Sequence, residues 1–214
     1  MRNRFDKELV RLNDSMIEMG SLCEAAIDKA LKALADNDTD LAKEAMADDA
    51  NIDELERDIE QQCYVILLSQ QPVARDLRNV SAALKMITDM ERIGDQATDI
   101  AEIAVTADLT AEFHNLELDT MAKMASKMVN AAVDAYVQKD LNTVHTVYKQ
   151  DDIVDQLFDK ISAHIIHRIE NKEIEGAKAV EVLMIAKYLE RIGDHAVNIG
   201  EWVEFSITGE HPKN

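Results

Sequence analysis

The segment Glu91-Arg92-Ile93-Gly94-Asp95 recurs unchanged 99 residues later as Glu190-Arg191-Ile192-Gly193-Asp194. A chain written twice on one plan has few folds open to it. The likeness reaches into the flanks: Met86-Ile87 answers Ile185-Ala186, and Ile100 with Glu102 answers Ile199 with Glu201. Both copies lie in long, proline-free segments of helical apolar periodicity, which predicts the middle of a helix for each. Glutamate and aspartate four residues apart then stand one above the other on one helical face. Two acids so placed repel each other unless a cation or a proton offsets the charge.

The rest of the chain repeats too. A shift of 102 residues aligns Ile27 with Val129, Leu31 with Val133, Leu34 with Tyr136, Asp38 with Asp140, Asp49 with Asp151, Asp53 with Asp155, Leu55 with Leu157 and Ile59 with Ile161. Beyond the second helix of each half the shift becomes 99, which predicts a turn three residues shorter in the second half. A repeat near a hundred residues is too long for a solenoid unit and fits a duplicated three-helix bundle. The expected architecture is therefore all-α: six long helices in two tandem three-helix bundles, spectrin-repeat-like in plan. The first repeat is placed at 1–107 and the second at 116–207. Residues 106 to 115, with Asp108, Thr110, His114 and Asn115, lose the pattern and are expected to form a linker.

Within the first repeat, Phe5, Leu9, Leu12, Met16, Met19, Cys23, Ala26 and Ala30 alternate in steps of four and three, a coiled-coil-like seam over residues 4 to 35. Asp36-Asn37-Asp38-Thr39-Asp40 breaks it and supplies capping residues for a second helix with Leu41, Ala45, Ile52, Leu55, Ile59 and Ile66 on one stripe. Gln70-Gln71-Pro72 marks a turn, and a third helix is expected from Val73, with Leu77, Val80, Leu84, Ile87, Gly94, Ala101 and Val105 in register. Glu91 falls on that seam where an apolar residue belongs. The last helix, expected from Ala177 to Phe205, is apolar on two rows and should be central. One row is Val182, Ile185, Leu189, Ile192, Ala196 and Ile199; the other is Leu183, Ala186, Gly193, Val197 and Gly200. Thr208 to Asn214 reads as a frayed tail.

Composition narrows the partners. Forty-two acids against 23 bases give a formal charge of −19, a surface that repels nucleic acid and anionic lipid. Cys23 and Cys63 form no CxxC and sit on apolar stripes, as core thiols of a reducing cytoplasm do. No signal peptide and no membrane-length apolar run is visible, so a soluble, cytoplasmic protein is expected.

The duplication yields four acid pairs at helical spacing: Asp49/Asp53, Glu91/Asp95, Asp151/Asp155 and Glu190/Asp194. If the second and third helices of each half are neighbours, the pairs converge into all-oxygen groups suited to magnesium, calcium, manganese or iron. Asp99 and Asn198 can each add an oxygen, and Glu102 and Glu201 extend the same face. Gly94 and Gly193 cost each helix about 1 kcal/mol relative to alanine, which close approach of a neighbouring helix or of a hydrated cation would explain. The plain alternative is a set of solvated surface acids. Arg92 and Arg191 offer forks able to anchor phosphate, against the plainer role of pairing with an acid of their own or a facing helix. The six histidines do not cluster: His195 projects away from Asp194 and reads as a packing or surface residue, and His164 with His167 reads as a surface pair. The ten methionines, Met16, Met19, Met124 and Met128 among them, read as core filler.

With its two ERIGD segments, four acid-three residues-aspartate motifs and the stretch Gln71-Pro72-Val73-Ala74-Arg75-Asp76-Leu77-Arg78, the chain closely resembles the PhoU family over nearly its whole length. Asp99 departs from the family pattern, which has asparagine there as at Asn198, and would make the first site more negative. The resemblance implies a cytoplasmic regulator and not an enzyme: an accessory of the Pst phosphate transporter that restrains the phosphate-starvation response. It implies a link between the transporter's ATPase, PstB, and the sensor histidine kinase PhoR, a homodimer, membrane contact only through partners, and bound metal (iron, manganese, magnesium or zinc). The competing functions are a carboxylate-bridged di-metal enzyme and a metal-free helical adaptor. The first calls for Glu-x-x-His pairs in a four-helix bundle, and no histidine here follows a glutamate by three.

Overall fold

A computed structural model describes residues 2–212. In chain order it contains α1 (Arg2–Asp36), α2 (Thr39–Gln70), α3 (Arg75–Thr106), the short α4 (Thr110–Asn115), α5 (Leu118–Gln138), α6 (Leu141–Glu170) and α7 (Gly176–Thr208). Among the described residues there is no strand, and no helix is long and apolar enough to cross a membrane.

The two halves begin alike for a local reason. Asn37 and Lys139 take left-handed backbone conformations with φ of 52° and 56°, which ends α1 and α5. The amides of Asp38 and Asp140 then reach back to the carbonyls of Ala33 (2.9 Å) and Ala135 (3.1 Å), the six-to-one bond of a Schellman closure. The same two aspartates cap the next helices. Asp38 Oδ1 accepts from the amides of Asp40 and Leu41, and Asp140 Oδ1 accepts from Asn142 at 2.9 Å.

Helices α1, α2 and α3 form one antiparallel bundle, and α5, α6 and α7 form the other. The bundles join through α3 against α7, the most extensive helix contact in the molecule, and through α1 against α5. Helices α3 and α7 run antiparallel: Arg78 lies beside Gly209, Asp89 bonds His195 and Asn198, and Asp99 interacts with Tyr188 and Arg191. The outer helices α2 and α6 carry one apolar stripe each, whereas α7 is buried on two rows. All of this apolar surface forms one continuous core.

The expected seam is buried from Leu12 through Met16, Met19, Cys23, Ala26 and Ala30, with Phe5 and Leu9 partly covered. The aligned pairs Ile27 and Val129, Leu31 and Val133, Leu34 and Tyr136, and Ile59 and Ile161 are buried in both halves. Cys23 and Cys63 are free buried thiols, and burial pushes both up to about 12.

Several sequence expectations need correction. The linker at 106 to 115 contains α4, whose flanking Leu109 and Leu116 and internal Phe113 are buried against α1 and α5. The third helix begins at Arg75, two residues after Val73. The second-half turn, 171–175, is not shorter than the first, 71–74. The missing residues come from the helix ends, because α6 stops and α7 starts at positions equivalent to helical residues of the first half. Leu77 and Leu183 are exposed. Leu77 precedes Arg78, which lies beside Gly209 just past the end of α7, and Leu183 lines an open groove with Phe158, Ser162, Ile165 and Ile166 of α6. The tail is not frayed where it is described: Gly209 caps α7 with φ 84°, and the His211 ring stacks on Phe205 with centroids 4.5 Å apart. Lys213 and Asn214 lie outside the described residues.

Candidate functional site

The four acid pairs stand where helices pack. In the first half, a methyl group at Gly94 would lie 3.1 Å from Asp49 Oδ1 and 2.9 Å from Ile52 Cδ1. In the second, a methyl at Gly193 would lie 3.2 Å from Asp151 Oδ1 and 3.4 Å from Val154 Cγ1. The missing side chain is what admits an aspartate of the neighbouring helix between the two acids of the ERIGD segment. Close helix approach therefore accounts for both glycines, at the cost in helix propensity that glycine carries.

Charge then accumulates. Burial raises Asp49 first, with Asp95, Asp53 and Asp99 adding to it and a hydrogen bond from Thr98 opposing it. Glu91 is raised by burial and by Asp95, with Arg92 opposing and Glu56 and Asp53 adding. In the second half Asp151 is pushed up to about 6 by burial, then by Asp155, Asp194, Asp152 and Glu190. Asp155 is raised by burial and Glu190, and Asp194 likewise by burial and Glu190, while Lys187 opposes in both cases. The structure thus brings Asp49, Asp53, Glu91 and Asp95 together as one group and Asp151, Asp155, Glu190 and Asp194 as another. Sequence reasoning missed Glu56 and Asp152. Glu56 lies one turn beyond Asp53, but neither acid has an acidic counterpart in the other repeat, so the duplication does not flag them.

The flanking positions behave differently. Asp99 is raised by burial, Glu102 and Asp95, and is held in check by Arg191 and a Tyr188 hydrogen bond from α7. Asn198 donates its Nδ2 to Asp89 Oδ1 at 3.0 Å, so its amide is engaged across the α3–α7 contact, although its Oδ1 takes no part in that bond. His195 Nδ1 meets the same Asp89 oxygen at 2.9 Å, a bridge between the bundles. The arginines take the plainer of their two roles. Arg92 pairs with Asp95 (2.9 Å) and Glu91 (3.5 Å), and Arg191 acts on Asp99 of the facing helix.

Among the described residues, no three His, Cys, Asp or Glu side chains stand close enough to close a coordination sphere as placed. The donor set still fits a hard cation. All eight donors of the four pairs are carboxylates, the ligand type a hard cation prefers, and in each half the packed helices bring one pair close enough to act on the other. Asp151 Oδ1 supplies a sharper indication: it is buried and accepts no hydrogen bond. A buried carboxylate oxygen without a donor is costly, and a cation removes that cost.

A pH effect follows. The folded-state value of Asp151, about 6, lies above its ordinary value of 3.8, so folded protein holds the proton more tightly than unfolded protein. Stability of chelated protein should therefore rise as pH falls through 6 toward 4, the reverse of ordinary acid denaturation. Asp151→Asn should flatten that rise and lift the melting temperature at pH 7.5 by about 2–4 °C, allowing for solvent screening. Thermal melts across pH check this. A variant with the wild-type profile would show Asp151 to be an ordinary surface acid.

The model of the PhoU domain matches residues 16–104 and again 118–203. A Clostridium acetobutylicum protein named phosphate-specific transport system accessory protein PhoU homolog is 33% identical over 213 residues, covering 98% of this chain and 96% of that one. A Thermotoga maritima protein named homolog 1 of the same accessory is also 33% identical, over 98% of this chain and 91% of its own. The crystal structure of PhoU from Pseudomonas aeruginosa superposes with a TM-score of 0.88 at 31% identity, covering 96% of this chain and all of that one. The phosphate transport system regulatory protein PhoU from Streptococcus pneumoniae gives a TM-score of 0.89 at 28% identity, covering 98% of this chain and 100% of that one.

Proposed function

The chain belongs to the PhoU family, and on that footing we propose that it is an accessory of a phosphate-specific transport system, a regulator and not an enzyme. The observation that carries this is the end-to-end likeness to proteins named as such accessories, with both repeats matched. In the fuller form, the protein restrains the phosphate-starvation regulon when phosphate is plentiful, linking the Pst transporter ATPase PstB to the sensor kinase PhoR from the cytoplasmic side as a homodimer. Its repeats, 1–107 and 116–207, each contribute one cation centre. Asp49, Asp53, Glu91 and Asp95, with Asp99, would hold one ion or cluster. Asp151, Asp155, Glu190 and Asp194, with the Oδ1 of Asn198, would hold the other. The ion (iron, manganese, magnesium or zinc) would offset the carboxylate charge and tie α2 to α3 and α6 to α7, so its role is structural and regulatory.

Deleting the gene tests the regulatory reading. Phosphate-regulon expression should rise in phosphate-rich medium, and removing the sensor kinase as well should abolish the rise. Normal repression in the deletion strain would contradict it.

A further inference from the structure

The two acid groups share their carboxylates by duplication but not their counter-charge. In the first, Arg92 comes from inside the ERIGD segment and its side chain is 56% exposed. Its counterpart Arg191 acts on Asp99 of α3 instead, and it is not among the charges that act on Asp151, Asp155 or Asp194. In its place Lys187, one turn before Glu190, forms an ion pair with Glu190. The equivalent residue of the first half is Thr88, so this lysine belongs to the second group alone. The Lys187 side chain is 37% exposed and that of Glu190 only 16%, so the pair is more sheltered than Arg92 with Asp95. Its ammonium lies 5.4 Å from the centre of the Phe158 ring, which steadies it over the group. It also offsets the charge on Asp155 and Asp194.

An ammonium is a compact point charge on a flexible stem, and here it takes up carboxylate charge that a metal ion would otherwise claim. We propose that Lys187 is a tethered counter-cation of the second acid group, which an incoming metal ion must displace, so that Lys187 sets the metal affinity of that centre. This rests on the metal reading given above. In metal-free protein Lys187 keeps four crowded carboxylates tolerable. In the loaded protein it must surrender Glu190 and turn to solvent, where an ammonium is well hydrated.

The test uses the full chain carrying Glu91→Ala and Asp95→Ala, which leaves the second group as the intact one, with and without Lys187→Met. Manganese is titrated into chelated protein, with bound metal measured by equilibrium dialysis and melting followed in parallel. Lys187→Met should lower the melting temperature of chelated protein and tighten manganese binding about tenfold, since one opposing unit charge is gone. Lys187→Arg should leave affinity near the parent value. If the parent binds manganese and Lys187→Met binds it no tighter, Lys187 is a surface ion pair and the proposal is wrong. If neither binds, and the protein without the two alanines also binds none, the metal reading falls and this proposal falls with it. Should the alanine background fail to fold, Lys187→Met and Lys187→Gln in the unaltered chain give the same comparison through the weaker of two binding steps.

Discussion

Replacing Leu12 by aspartate should lower the melting temperature by at least about 10 °C, or prevent folding outright. Leu12 is fully buried on the α1 seam, where it joins the core shared by both bundles. Truncating such a leucine to alanine typically costs about 2–5 kcal/mol, and a carboxylate adds the burial of an unpaired charge. In a chain of this length each kcal/mol shifts melting by roughly 2–4 °C. Val10, two residues earlier on the same helix, is 58% exposed, so Val10→Asp serves as the control and should change stability by less than about 0.5 kcal/mol. Equal effects at the two positions would mean that the register of α1 is wrong.

The second large effect should come from the acids themselves. Replacing Glu91, Asp95, Glu190 and Asp194 together by alanine should abolish tight metal binding while leaving helicity largely intact, because all four lie in well-formed helices. Chelation should lower the melting temperature of the wild type by several degrees and that of the variant hardly at all. A ligand present at a hundred times its dissociation constant stabilises by about 2.7 kcal/mol, roughly 5–10 °C here. If the acids were merely solvated surface, the variant would melt slightly higher than the wild type and chelator would change neither. The two readings are separated by whether chelator moves the wild type at all.

The duplication was legible because periodicity and identity reinforce each other across long helices. The seam of α1, the capping stretch around Asp38, and the α7 row from Val182 to Ile199 all express local rules that need no tertiary information. What escaped depends on contacts between distant segments. Helix α4 is six residues long, too short for a period to show, and its burial comes from α1 and α5. Leu77 and Leu183 fit the apolar pattern, yet Leu77 sits level with the end of α7 and Leu183 lines an open groove against α6, which a single helical wheel does not reveal. The tail is ordered through His211 by Phe205 and Trp202, residues already assigned to the helix before it.

At the site, spacing within a helix gave the four pairs, and the glycines hinted at their convergence. The partners across helices stayed hidden. Nothing in the linear sequence joins Asn198 and His195 to Asp89, or marks Lys187 as the cation that replaces Arg191 in the second group. Repeats make equivalent residues visible, and the residues that distinguish the two halves are those without an equivalent.

The most direct measurement is the metal content of protein purified natively, without chelators or a metal-binding tag, determined by elemental analysis against protein concentration. Both acid groups acting as cation centres should give metal bound in at least about one equivalent per repeat, retained through desalting and lost in the four-alanine variant. Protein carrying no metal above background, whose melting temperature is unmoved by added manganese, magnesium, iron or zinc, would contradict it.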